Sequence, residues 1–351
     1  MNKNIVIIVI TLLSLNSGWS ALNVYSSTAL RHLPSDTLEF RHSDEYKSDS
    51  NELKAKMGIE ELEADSNRKK IAFYLHDGVE ILDFAGPLEV FTAAGHKVII
   101  VSKTAEPIVS QGTLKIIPDY TIENAPKVDV IAFFGGNVGL DIINNGVSEW
   151  IKSFDELDNY FSVCTGVFFL GEAGILKNKT ATTFHSSLDY LEENYKETKV
   201  LRDARYVDNG KVITTAGISA GIDGALHLVA KWQGFNKARE VAFIMEYDKW
   251  VPGEGMILSE DNPYTNLINL KKLEDYAGIY ENESGIQVVI KVDKREKGLY
   301  AHLGKNRVPI FHEKEDKFSR MNKEHVTFIR NKNNEVIRME SSEHPVQFIK
   351  Q

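Results

Sequence analysis

The sequence predicts an α/β protein with a mostly parallel sheet between helices, followed by a small antiparallel β domain. Continuous apolar runs such as residues 71–75 are the first observation, because strands covered on both faces lack polar alternation. Helical stretches between these runs are the second, and such alternation favours a parallel sheet. The third is a change after Trp250 to short alternating runs, which is typical of antiparallel strands.

The elements follow in chain order. After residues 71–75, strands are predicted at 97–101, 128–134, 160–163 and 211–215, and helices at 87–94, 147–157, 165–173, 186–195, 219–232 and 236–247. The helix at 219–232 has the clearest pattern, since Ile222, Ala225, Leu226 and Val229 share one helix face. In the C-terminal part, strands are predicted at 286–292, 298–303, 325–330, 335–340 and 346–350.

The N-terminus reads as a secretory signal. Lys3 precedes an apolar core at residues 5–13, and Gly18 and Ser20 offer small residues for cleavage. The alternative is a membrane anchor, but the apolar run is shorter than the ~20 residues that a spanning helix needs. We therefore expect cleavage near Ala21, no stable membrane insertion after it, and an exported protein that is periplasmic or secreted.

Composition divides the chain into five segments. They are a signal peptide (1–20), a polar linker (21–68), the α/β domain (69–252), a linker marked by Pro and Gly (253–269) and a β-rich accessory domain (270–351). All the α/β motifs precede Pro252, so a chain ending there is expected to fold and to keep any small-molecule reactivity.

Charge and cysteine content exclude several classes of function. The net charge of −9 argues against nucleic acid as a partner, because a phosphate-binding surface needs clustered Lys and Arg. The single cysteine cannot form a disulfide within the chain. No metal-binding cluster is visible, because the histidines are scattered. We expect no metal and no cofactor.

Cys164 is the first candidate for chemistry. It stands between the strand at 160–163 and a helix that begins at Thr165, which is the arrangement of a nucleophile elbow. Backbone N–H groups at a helix start favour a thiolate and stabilise a developing anion, so a lowered thiol pKa is expected. Gly166 leaves room for a tight turn. The alternative is an ordinary packed core cysteine.

Asp83 is the second candidate. It lies among apolar residues shortly before Gly86 and Pro87. A carboxyl group in an apolar setting has a raised pKa and exchanges protons near neutrality. The alternative, which spacing alone favours, is that Asp83 caps the helix predicted to begin at Pro87.

Gly135 and Gly136 form the third candidate. They follow the strand at 128–134, and ligands of open α/β sheets bind beyond such carboxyl ends. Glycines there let backbone N–H groups approach a substrate. A diglycine is also the mark of a plain turn.

Together these features resemble the DJ-1/PfpI superfamily, also called class I glutamine amidotransferase-like, and most of all its isonitrile hydratase-like branch. The resemblance covers about residues 70–251. The motifs that carry it are residues 83–91 (Asp-Phe-Ala-Gly-Pro-Leu-Glu-Val-Phe), 134–136 (Phe-Gly-Gly), 162–166 (Ser-Val-Cys-Thr-Gly), 181–185 (Ala-Thr-Thr-Phe-His) and 215–223 (Thr-Ala-Gly-Ile-Ser-Ala-Gly-Ile-Asp).

The resemblance implies a flavodoxin-like α/β sandwich, with Cys164, Thr165 and Asp83 as the functional residues. His185 is a further candidate, although relatives have histidine directly after the two threonines and Phe184 intervenes here. Regulator relatives carry a DNA-binding domain after this core, whereas here the tail is β-rich. Its first residues resemble the small β domain appended to some exported serine-hydrolase-like proteins, which implies an accessory role.

The function expected from these residues is a cysteine-dependent hydratase or hydrolase for a small electrophilic substrate. Hydration of an isonitrile to an N-substituted formamide is the reaction that the resemblance implies, with Gly135, Gly136 and Gly166 around the substrate. One alternative is an exported redox or stress protein with an oxidisable cysteine. Another is a binding module without activity. The expected partner is a small molecule, and a homodimer is the oligomer considered.

Overall fold

The computed structural model describes residues 68–139, 146–265, 267–321, 324–342 and 346–351. The signal peptide predicted at 1–20 and all but the last residue of the linker predicted at 21–68 lie outside the described residues.

A mostly parallel sheet forms the centre of the α/β part. Its strands are β1 (Lys70–Tyr74), β2 (Lys97–Ser102), β5 (Tyr120–Thr121), β6 (Val130–Phe133), β7 (Asn159–Val163), β10 (Tyr206–Asp208), β11 (Val212–Thr215) and β12 (Met256–Ile257). They lie in the order β12-β10-β11-β7-β6-β1-β2-β5. Every neighbouring pair is parallel except β10 with β11. The predicted fold class is therefore confirmed.

Two separate two-stranded sheets accompany this centre, the first antiparallel and the second parallel. They are β3 (Ile108–Ser110) with β4 (Leu114–Ile116), and β8 (Thr180–Ala181) with β9 (Lys199–Val200). Strand β12 lies within residues 253–269, which the sequence predicts as a linker. That segment thus contributes a strand to one edge of the sheet.

Helices cover both faces of the sheet. They are α1 (Ile81–Ala93), α2 (Val147–Lys152), α3 (Val167–Glu172), α4 (Leu188–Asn194), α5 (Ala220–Gln233) and α6 (Phe235–Ile244). One core lies under α1, α5 and α6, with Phe91 at its centre, and the other lies under α2, α3 and α4, around Phe133. Within the described residues, none of the helices has the length and apolar character needed to cross a membrane.

Two helix bounds differ most from the sequence prediction. Helix α1 begins at Ile81 and has Pro87 inside it, although proline favours the first turn. Tertiary contacts set this earlier start, because the Glu80 N–H donates to the carbonyl of Gly135 at 2.9 Å. Helix α2 ends at Lys152, short of the predicted residue 157.

The C-terminal part is a closed antiparallel barrel. Its strands are β13 (Gly278–Glu281), β14 (Gln287–Asp293), β15 (Gly298–Leu303), β16 (Asn306–Lys314), β17 (Lys317–Ser319), β18 (His325–Arg330), β19 (Val336–Ser341) and β20 (Gln347–Lys350). Pairing of β13 with β20 closes it. Helix α7 (Leu270–Glu274) contributes Leu273 to an interior that Tyr280 and Phe318 also fill. The antiparallel β domain is confirmed, but three of its strands are absent from the sequence prediction.

Candidate active site

An open cleft lies beyond the carboxyl ends of β6 and β7, where ligands of open α/β sheets bind. Its volume is about 540 Å³. Cys164 and Thr165 form part of its wall, and the remaining lining residues are Gly78, Glu80, Gln111, Gly112, Gly136, Asn137, Phe184 and Ile218.

Cys164 occupies a strained turn between β7 and α3. Its φ is +58°, in the left-handed region that costs a non-glycine residue about 1–3 kcal/mol. Two hydrogen bonds hold it: the Cys164 N–H donates to the carbonyl of Ala216 (3.1 Å), and the Thr183 hydroxyl donates to the Cys164 carbonyl (2.7 Å). The junction thus has the elbow geometry that the strand–cysteine–helix pattern predicts.

Asp83 is a buried partner of Cys164. Its side chain is fully buried, and its carboxylate accepts hydrogen bonds from the N–H groups of Gly135 (2.9 Å) and Ile218 (3.0 Å). It also interacts directly with the Cys164 thiol. Asp83 lies inside helix α1, whose N-cap residue is Glu80 and has no side-chain cap bond. The capping alternative is therefore wrong.

Burial controls the protonation of this pair. It raises the pKa of Asp83 to about 6, although the Gly135 N–H and the Cys164 thiol stabilise the carboxylate. Burial, followed by the charge of Asp83, raises the pKa of the Cys164 thiol to about 12. This direction is the opposite of the thiolate expected from the sequence. The six-residue helix α3 after a 3-10 turn supplies too little dipole to offset burial. At neutral pH the resting pair is a carboxylate and a thiol.

Thr165 contacts the Cys164 sulfur. Its N–H and its side chain both hydrogen-bond to Cys164 and oppose the rise in the thiol pKa. The Thr165 hydroxyl also accepts a hydrogen bond from the Gly136 N–H at 3.2 Å. It therefore stands between the sulfur and the glycine turn.

The three glycines have different roles in this geometry. A Cβ on Gly135 would lie 2.6 Å from the Thr165 hydroxyl oxygen and 2.8 Å from the Cys164 Cβ. One on Gly166 would lie 2.5 Å from the carbonyl oxygen of Phe133. These two glycines allow backbones to pack closely, and the Gly135 N–H is committed to Asp83. Gly136, at φ +120°, lines the cleft itself.

His185 is not among the residues that line the cleft. Its side chain is exposed, and its ring lies 4.2 Å from that of Phe184. Phe184 lines the cleft instead and packs over Gly217, where a Cβ would lie 2.4 Å from its ring. The structure thus brings Cys164, Asp83, Thr165 and the glycines together and leaves His185 outside.

Ile218 is a residue of the candidate site to which sequence reasoning assigns no role. Its φ is +53°, an outlier for a β-branched side chain, and this conformation directs its N–H to Asp83. The available signal was its place after Gly217, at a second strand-to-helix junction beside that of Cys164. Gln111 reaches the cleft from the hairpin of β3 and β4 and hydrogen-bonds to Glu80, for which the sequence carries no signal.

The chain is similar in sequence to several known proteins. The DJ-1/PfpI family model matches residues 69–231. An isonitrile hydratase of Pseudomonas putida is 35% identical over 184 residues, covering 51% of this chain and 78% of that protein. The HTH-type transcriptional regulator CdhR of Pseudomonas aeruginosa is 25% identical over 177 residues, covering 48% of this chain and 52% of the regulator. A solved THiJ/PfpI family protein from Pseudomonas syringae aligns with 58% of this chain and 80% of its own, at 27% identity and a TM-score of 0.46.

Proposed function

Because the chain belongs to the DJ-1/PfpI family, we propose that it is an enzyme that hydrates an isonitrile to an N-substituted formamide through Cys164. The observation that carries the proposal is the buried pair of Asp83 and Cys164 at the wall of an open cleft. A carboxylic acid whose pKa is about 6 suits general acid–base work near neutral pH. The sequence similarity to an isonitrile hydratase supports the choice of substrate.

The first half of the reaction forms a covalent intermediate. Asp83 accepts the thiol proton while the Cys164 sulfur attacks the terminal carbon of the isonitrile. Asp83 then returns that proton to the same carbon, which leaves a thioimidate, R–N=CH–S–Cys. The resting thiol and carboxylate provide the proton and its acceptor in contact with each other.

The second half releases the product. The oxygen of a water molecule adds to the thioimidate carbon while Asp83 accepts a proton from that water. Asp83 then passes this proton to the nitrogen. The tetrahedral intermediate expels the sulfur, which takes the hydroxyl proton, and R–NH–CHO leaves with the thiol restored. The Thr165 hydroxyl bonds to Cys164 and accepts a hydrogen bond from the Gly136 N–H, so it is suited to orient water or a developing charge.

The cleft also indicates the substituent on the substrate. Phe184 and Ile218 provide apolar wall, whereas Glu80, Gln111 and Asn137 provide polar wall on the lining. We propose a small isonitrile whose organic group is apolar where it meets Phe184 and Ile218.

The test is a turnover assay with matched variants. Purified protein is incubated with cyclohexyl isonitrile, and N-cyclohexylformamide is quantified by mass spectrometry. We expect no product from Cys164→Ala and a loss of at least roughly 100-fold for Asp83→Asn. Asp223→Asn is the control, since that buried aspartate pairs with Arg205 and does not line the cleft. Turnover that survives Cys164→Ala, or no turnover across a panel of isonitriles, would rule the proposal out.

A redox role is less favoured by the same geometry. Oxidation of cysteine follows thiolate character and exposure. Cys164 is 6% exposed, and the pKa of its thiol is raised. Both properties oppose use as a peroxide sensor.

We also propose that the protein acts outside the cytoplasm, as the signal at residues 1–20 predicts. Lys3, the apolar core and the small residues before Ala21 support this. Mass spectrometry of the protein recovered from its natural source tests it, with a mature N-terminus near Ala21 expected. An intact Met1 on cytoplasmic protein would count against export.

A further inference from the structure

A second cavity lies between helix α6 and the barrel. Its volume is about 260 Å³, and its lining shares no residue with the cleft at Cys164. Its apolar wall includes Leu267, Leu273, Leu299 and Phe318, while Arg239 and Lys297 contribute positive charge and Glu313 contributes negative charge. The volume is slightly below the ~300 Å³ lower end for pockets that hold drug-sized ligands, so an occupant must be small.

Arg239 is the unusual member of this wall. It is 3% exposed, and its Nη1 donates to the carbonyl of Ile310 at 3.2 Å. Its Nε and Nη2 have no hydrogen-bond partner in the described part of the chain. The rings of Phe235, Tyr300 and Phe311 surround the guanidinium carbon at 5.3–5.9 Å. Aromatic rings stabilise a cation but leave these two N–H groups unsatisfied.

The barrel is shaped to admit this side chain. A Cβ on Gly298 would lie 2.2 Å from the guanidinium carbon of Arg239, so the glycine at the start of β15 leaves the space that Arg239 occupies. The nearby carboxylate of Glu296 accepts a hydrogen bond from the Tyr300 hydroxyl and forms an ion pair with Arg295. Glu296 and the Tyr300 hydroxyl both attract the Arg239 guanidinium, but neither forms a hydrogen bond of normal geometry with its Nε or Nη2.

The two unsatisfied donors have a specific geometry. Nε–H and the adjacent Nη2–H lie along one edge of a guanidinium and point in the same direction, which matches the two oxygens of a carboxylate. A buried cation with two unused parallel donors is costly unless an anion completes it. The apolar part of the wall adds a place for a hydrocarbon chain, which inorganic phosphate lacks.

We propose that this cavity binds a small organic carboxylate, with the carboxylate side-on to Nε and Nη2 of Arg239. A short apolar chain lies against Leu267, Leu273, Leu299 and Phe318. This site is separate from the chemistry at Cys164 and gives the barrel a ligand-binding role.

The test measures binding rather than turnover, so it stands apart from the hydratase assay. Sodium hexanoate is titrated into the full chain by calorimetry, with hexanamide as the uncharged analogue and inorganic phosphate as the anion without a chain. We expect hexanoate to bind one per chain, and the other two compounds to show no saturable binding. Arg239→Met fills similar volume without donors and should abolish hexanoate binding. Arg239→Lys keeps the positive charge but lacks the two parallel donors, so it should weaken hexanoate binding about tenfold or more.

Arg202→Met is the matched control, because Arg202 is an exposed arginine that pairs with Asp189 and Glu192 outside the cavity. It should bind hexanoate as the unaltered chain does. Should the Arg239 variants fail to fold, a crystal structure of the unaltered chain grown with hexanoate decides. A carboxylate within about 3.2 Å of both nitrogens supports the proposal. Absence of hexanoate from the cavity, equal binding of hexanamide, or binding that survives Arg239→Met overturns it.

Discussion

At the scale of single residues, Asp83 is the group that decides how the candidate site works. A carboxylate in apolar surroundings is costly, and two backbone N–H groups are aimed at it from Gly135 and Ile218. These bonds keep it ionised at neutral pH despite burial, since its pKa stays at about 6. Its charge in turn keeps the thiol of Cys164 protonated. The pair is a proton donor and acceptor at rest, not a preformed thiolate.

This reasoning predicts slow alkylation of Cys164. At about pH 8 the unaltered chain should react with iodoacetamide more slowly than glutathione, whose thiol pKa is near the ordinary ~8.5. Asp83→Asn removes the charge that raises the thiol pKa, so it should react faster than the unaltered chain while losing turnover. The rate of carbamidomethylation at Cys164, followed by mass spectrometry, checks both. Faster alkylation of the unaltered chain than of glutathione would contradict the assigned protonation.

Asp83 should also leave a signature in the pH dependence of stability. Its pKa rises from a usual 3.8 to about 6 on folding, so between these values the folded state binds more protons than the unfolded state. Stability therefore falls as the pH rises from about 4 to about 6, by roughly 3 kcal/mol at most. In Asp83→Asn this loss should be absent. Urea unfolding of both chains across this range measures it, and parallel curves would exclude a raised pKa.

At the scale of elements, the two strand-to-helix turns after β7 and β11 create the site. Each places a non-glycine residue at positive φ, Cys164 at +58° and Ile218 at +53°. One turn presents the sulfur, and the other directs an N–H to Asp83. The strain is held by hydrogen bonds between the turns, such as that from Cys164 N–H to Ala216.

The elbow predicts an inverted order of two substitutions. At positive φ, glycine avoids a steric cost of about 1–2 kcal/mol that alanine bears. Cys164→Gly should therefore be more stable than Cys164→Ala by about 1 kcal/mol. Glu89 is the control, because at this exposed site in α1 alanine should be more stable than glycine by about 1 kcal/mol. Chemical denaturation gives the four values. If Cys164→Ala proved more stable than Cys164→Gly, the turn would have to lose its positive φ in the variants.

The sequence predicts those elements whose signal is local. The apolar runs and the strand–cysteine–helix junction are such signals, and the sheet and the elbow agree with them. Asp83 was ambiguous because its partners, the N–H groups of Gly135 and Ile218, are far away in the chain. Strand β16 is absent from the sequence prediction because Pro309 lies within it, and proline argues against a strand. The raised thiol pKa runs against the sequence prediction, since burial cannot be read from the helix start alone.

At the scale of the whole molecule, the segment after Pro252 is part of the α/β structure. Buried Asp208 accepts hydrogen bonds from His227 (2.8 Å), Lys231 (2.8 Å) and Ser259 (2.9 Å). Burial raises the pKa of Asp208, but the bonds from His227 and Lys231 outweigh it and bring the pKa to about 2. Beyond Ser259, Tyr264 contacts His227 at 3.2 Å. A predicted linker therefore completes a buried charge network.

This network alters where the chain can be shortened. A chain ending at Thr265 keeps β12, Ser259 and Tyr264, whereas one ending at Pro252 loses them and leaves Asp208 and Lys231 short of partners. Losing the hydrogen bond from Ser259 to the charged Asp208 costs about 1.5–3 kcal/mol, so the shorter chain should melt roughly 5 °C lower. Calorimetric melting of the two chains measures this difference.

Both shortened chains keep every residue that lines the cleft, since the last of these is Ile218. The chain ending at Thr265 should therefore retain formamide production at the rate of the full chain, because removal of the barrel exposes Arg239 to water without touching the cleft.

Asp261→Asn in the full chain is the control for the network, since its side chain is 65% exposed and its pair with Lys231 contributes at most about 1 kcal/mol. Equal melting temperatures for the two shortened chains would show that the network adds nothing. Loss of turnover in a folded chain ending at Thr265 would show instead that the barrel shapes the cleft through α6, the helix that packs against both α1 and β16.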